Sequence, residues 1–160
     1  MANVLIETQD ARYLAGTYNW WYIALIGVGV GIGVWVFGWL LGSYIIDPLL
    51  CRGSDIASCA KAPVVASNIA AIIATLLGIA ALIRLHIRRP IVIGVAVLVA
   101  FWGFQALLGD TGWAAYAGWL AFLYGLGYVV LARITRFRNV LIMSVSAVVF
   151  VLLVRWIAFL

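Results

Sequence analysis

Five apolar stretches dominate the chain, at roughly 19–46, 64–83, 91–108, 113–132 and 140–160. Each comes close to or exceeds the ~20 residues with which a helix crosses a hydrocarbon core. In hydrocarbon every backbone N–H and C=O must be satisfied within the segment, so a run of this kind folds as helix. Of the 160 residues, 68% are hydrophobic and 9% charged, where an ordinary soluble domain carries about 25% charged. A water-soluble fold has no way to bury so much apolar surface. The expected fold class is all-α: a polytopic integral membrane protein, one compact bundle of five transmembrane helices over residues 19–160. Residues 1–18 precede it as a cytoplasmic or interfacial segment. They include Glu7, Asp10 and Arg12 and lack the continuous apolar core of a cleavable leader, so the first span reads as a signal anchor.

The breaks between spans set the orientation. They are DPLLCRGSDIASCAKAP at 47–63, RLHIRRP at 84–90, GDTG at 109–112 and RITRFRN at 133–139. With five spans, the second and fourth breaks share a side, and they hold Arg84, Arg88, Arg89, Arg133, Arg136 and Arg138. Arg12 joins them there, against Arg52, Lys61 and Arg155 opposite. Cytoplasmic connections are enriched in Lys and Arg, so the amino terminus is expected in the cytoplasm and the carboxyl terminus outside. The net charge of +5 thus speaks to topology rather than to nucleic acid, and the expected location is the cytoplasmic (inner) membrane of a bacterium.

Within the first span, GVGVGIGVWVFGWLLG spends many glycines in what should be helix, where glycine is the poorest ordinary residue. At about 100° per residue, Gly27, Gly31, Gly38 and Gly42 fall in a stripe about 60° wide, and Gly29 and Gly33 form a shorter one nearly opposite. Such spacing lets backbones approach closely in lipid. Two packing faces are expected, with the closest backbone approach at Gly31 and Gly38, where leucine should be disruptive, and with Val30 tolerant of leucine. The alternation from Gly27 to Gly33 resembles the packing motif of the rotor-ring proteolipids of ATP synthases. That likeness covers seven residues and implies close helix contact. Those proteolipids also carry a mid-membrane carboxylate, which no span here has, so the packing logic alone carries over.

Little else in the spans offers chemistry. The lone histidine, His86, is flanked by arginines in a connection, whereas a haem within a bundle takes histidine or methionine from facing helices. Zinc, copper and di-iron sites lack ligands too, so no catalytic residue, metal or cofactor is expected. The carboxylates Glu7, Asp10, Asp47, Asp55 and Asp110 lie in tails, connections or helix ends. Among polar residues inside spans, Asn68 and Gln105 are the candidates for contacting a translocated solute, both towards the outer leaflet.

Cys51 and Cys59 are the only cysteines, and both fall in the first outer connection. On an oxidising side such a pair reads as a disulfide. Two cysteines between the first two spans also resemble the shuttle pair of the vitamin K epoxide reductase family, itself a small helical bundle. That family carries a second cysteine pair beside a quinone, and this chain has no counterpart. The functional expectation is a non-catalytic small membrane protein, a structural or accessory subunit or assembly factor of a larger complex. Its partners are the lipid bilayer and either protein subunits or further copies of itself. A small channel or transporter and a thiol–disulfide redox protein are the alternatives.

Overall fold

The computed structural model describes residues 20–51, 59–87, 89–104, 112–135 and 139–158. These are helical, with no strand among the described residues. Helix α1 spans Trp20–Leu50, α2 Ala62–Arg84, α3 Pro90–Ala100, α4 Trp113–Ile134 and α5 Val140–Ala158. Three of them, α1, α2 and α4, are long and apolar enough to cross a membrane.

Two boundaries differ from those the sequence suggests. Asp47–Pro48 reads as the end of the first span, yet α1 continues to Leu50 through a π-helical stretch at Gly42–Ile46. Proline inside a helix lacks a donor and crowds the carbonyl four residues back. Immediately before it, the Asp47 N–H donates to the Gly42 carbonyl five residues back, a wider turn that lets the chain continue. The third apolar run extends to Leu108, but α3 stops at Ala100 after 11 residues, about 16 Å of rise. Gly103 then adopts φ +81°, a left-handed conformation open to glycine at no steric cost. By its helix alone, the third expected span is too short to cross.

Contacts along the glycines fix the helix directions. Gly27 meets Tyr124 and Gly125, and Gly31 meets Leu120 and Ala121, so α1 runs antiparallel to α4. Gly33 meets Ala74, Gly38 meets Ala70, and Gly42 meets Ala66, so it is antiparallel to α2 as well. Helix α3 turns back along α2, placing Gly94 against Ile79 and Thr75, and reaches α4 where Phe101 and Val97 meet Gly127. Helices α1 and α3 therefore both bridge α2 and α4, and α5 packs on α3 with a lighter contact to α4. One end of the bundle gathers the start of α1 with the α2–α3 and α4–α5 connections. The other end gathers the disulfide and the start of α4.

Small residues bring these helices together. The buried side of α2 is Ala62, Ala66, Ala70, Ala71, Ala74, Thr75, Gly78 and Leu82. Volume comes from Tyr124, Tyr128, Leu120 and Leu131 on α4, with Ile93 and Val97 on α3. On α5 the buried side chains are Met143 and Ala147, which leaves most of that helix facing outward.

Candidate functional site: the glycine seam and its buried hydroxyls

The six glycines singled out in α1 do three different things. A Cβ on Gly27 would stand 2.8 Å from the Gly125 Cα and from the Tyr124 carbonyl oxygen. On Gly31 it would stand 2.5 Å from the Leu120 carbonyl oxygen. There the two backbones touch, and only glycine fits. On Gly33, Gly38 and Gly42 the added carbon would make ordinary contacts of 3.5, 3.8 and 3.7 Å with Ala74, Ala70 and Ala66. Gly29 is exposed, and a Cβ there would meet nothing within 4 Å. The stripe from Gly27 to Gly42 is thus divided between two neighbours. Its first half is sealed by α4 and its second by α2.

Val30 corrects the expectation of tolerance. It is 5% exposed, and its Cγ2 would stand 2.6 Å from a Cβ on Gly78. The Tyr128 hydroxyl oxygen would stand 2.5 Å from the same point. Gly78 is therefore the notch where α1, α2 and α4 converge, and it accommodates both side chains.

The interior also holds polar groups that the sequence patterns did not single out as a set, of which the Tyr128 hydroxyl reaches that notch. Thr75 Oγ1, Tyr124 Oη and Tyr128 Oη are buried and have no hydrogen-bond partner among the described residues. Their residues are 2%, 1% and 0% exposed. The Tyr124 ring lies tilted against Phe101, with centroids 5.2 Å apart. By contrast, the buried Thr135 hydroxyl donates to the Ala132 carbonyl at 3.0 Å. A buried hydroxyl left unpaired costs about 1–3 kcal/mol, so three in one interior mark a place where the packing is not purely apolar. The available signal was the spacing of Tyr124 and Tyr128, which share one face of α4 beside Gly125.

The other expected site residues are spread through the fold. Asn68 is half-buried on α2, and Gln105 lies outside the described residues. Cys51 and Cys59 are joined as a disulfide, with Cα atoms 4.8 Å apart, clasping the end of α1 to the start of α2. Among the described residues, no group of three His, Cys, Asp or Glu side chains comes together as a metal site. On its outward face α4 carries an open groove of about 380 Å³ lined by Ala115, Gly118, Trp119 and Phe122. A Cβ on Gly118 would meet nothing within 4 Å. No family model, curated protein or solved structure matches the chain.

Proposed function

We propose that this chain is a membrane-embedded helical bundle that serves as a structural or accessory subunit, or assembly factor, of a larger membrane complex. Its five helices occupy the bilayer with the amino terminus cytoplasmic and the carboxyl terminus external. The location is the cytoplasmic membrane of a bacterium. The observation that carries the subunit reading is the groove on α4. Gly27, Gly31, Gly33, Gly38 and Gly42 of α1 are taken up within the chain, whereas Gly118 is an open notch on an outward face of α4, beside the contacting rings of Trp119 and Phe122. Small residues on a helix face let a neighbouring helix approach closely in lipid.

Gly118→Leu fills that notch without touching the bundle. Affinity purification in mild detergent should show normal yield of the variant with stoichiometric partners, or further copies of the chain, reduced severalfold. Unchanged retention of every partner would sink the subunit reading at this face. For topology, a reporter fused after Arg138 is expected to report from the cytoplasm and one after Leu160 from outside. Both reporting from one side would mean that α5 does not cross, and an external report after Arg138 with a cytoplasmic one after Leu160 would mean that α3 does not.

A second reading, a small channel or transporter, draws on Thr75, Tyr124 and Tyr128, because unpaired hydroxyls inside a bundle can hand a polar solute between hydrogen bonds. Solute flux into proteoliposomes of the purified chain is its test.

A further inference from the structure

From the arrangement of charge at one end of the bundle, we infer that this end binds an anionic phospholipid through its phosphate. The inference rests on the membrane reading above. Arg84 closes α2, Arg89 opens α3 and Arg133 closes α4, so three of the four helices that form the bundle's core bring an arginine to the same end. All three are exposed. The fourth helix brings Trp20, Trp21 and Tyr22, each about half exposed. Asp47 is the sole acidic residue among the described ones, and it belongs to the opposite end. In the sequence Arg88, Arg136 and Arg138 belong to the same connections, while Glu7 and Asp10 precede α1; all five lie outside the described residues.

The connection from α2 to α3 is held in an unusual shape. His86 and Arg89 adopt φ +54° and +58°, a left-handed region that side-chain-bearing residues seldom occupy. In that conformation Arg89 Nη1 donates to Met143 Sδ at 2.9 Å, which ties the start of α3 to α5. A guanidinium has five N–H donors in a planar fork suited to phosphate, and one contact to a weak sulfur acceptor leaves that capacity largely in place. Directly below the arginines the surface turns apolar, with Ile83, Ile91 and Leu141 exposed. Positive charge above an apolar flank complements a molecule with an anionic head and hydrocarbon tails. A soluble acidic partner would match the charge but leave the flank uncovered.

Native mass spectrometry of the purified chain in mixed micelles of phosphatidylglycerol and phosphatidylcholine, equimolar and with identical acyl chains, tests this. The wild type should retain phosphatidylglycerol in clear excess. Arg84→Gln and Arg133→Gln should each lower that retention by roughly fivefold and leave phosphatidylcholine unchanged. Arg84→Lys and Arg133→Lys should keep most of it, and Lys61→Gln at the other end should have no effect. Millimolar inorganic phosphate should not displace the lipid. Equal retention of the two lipids, insensitivity to the glutamine variants, an equal loss in Lys61→Gln, or displacement by phosphate would each overturn the inference. Carbonate extraction is run in parallel. A chain released by carbonate refutes the membrane reading, whereas a carbonate-resistant chain without lipid preference refutes the lipid site alone.

Discussion

Gly31→Ala is expected to destabilise the bundle by about 2 kcal/mol, whereas Gly29→Ala and Gly38→Ala should be neutral or stabilising by up to about 1 kcal/mol. All three changes improve helix propensity equally, so the difference isolates packing. At Gly31 the new methyl would stand 2.5 Å from the Leu120 carbonyl oxygen and 2.7 Å from the Ala121 Cα. Both are backbone atoms of a helix that can yield only by moving as a whole. Moving it forfeits van der Waals contact along several turns, the main attraction between helices in lipid. Gly38 meets the side chain of Ala70 at 3.8 Å and Gly29 meets nothing. Gly31→Leu should abolish folding, and Gly29→Leu should be accepted. Val30→Leu should also destabilise, because Val30 fills the notch at Gly78. Thermal midpoints from tryptophan fluorescence, with detergent-stable yield, separate the variants. Equal behaviour of Gly29→Ala and Gly31→Ala would show that α1 and α4 do not meet as described.

That series also shows how far the sequence could be read. The three long helices follow from hydropathy, because backbone satisfaction leaves an apolar run few other shapes. The glycine spacing pointed to close contact, but a wheel drawn for a straight helix treats each stripe as facing one neighbour. Here α4 meets the first half of the long stripe and α2 the second, so Gly27 and Gly38 share a side yet touch different helices. Gly29 fell on the shorter row and faces outward. Hydropathy was equally blind to the end of α3, because the turn at Gly103 sits inside an apolar run. The continuation of α1 past Pro48 depends on a widened turn that no residue pattern announces. At the notch, Gly78 was visible as one small residue among several. Its pairing with the Tyr128 hydroxyl was not, because that contact depends on how α2 and α4 flank α1.

Replacing both cysteines, Cys51→Ser with Cys59→Ser, should lower stability by about 2.5 kcal/mol in the chain-entropy account of a loop this short. For a chain of this size that corresponds to a fall of roughly 5–10 °C in thermal midpoint. The bond joins the last turn of α1 to the start of α2, the end at which Gly42 packs on Ala66. Without the cross-link, that pair must be brought together by packing alone, and the contacts there are ordinary ones between small groups. The loss should therefore concentrate at this end, with amide exchange rising in Gly42–Leu50 and Ala62–Ala66 and little altered around Gly31. Partner retention should survive in the double variant at temperatures below its lowered midpoint, because the α4 groove lies on another helix. A thiol–disulfide enzyme would behave in the opposite way, losing its activity at full stability. Mass spectrometry of the unreduced wild type comes first: two freely alkylated thiols would remove the structural clasp.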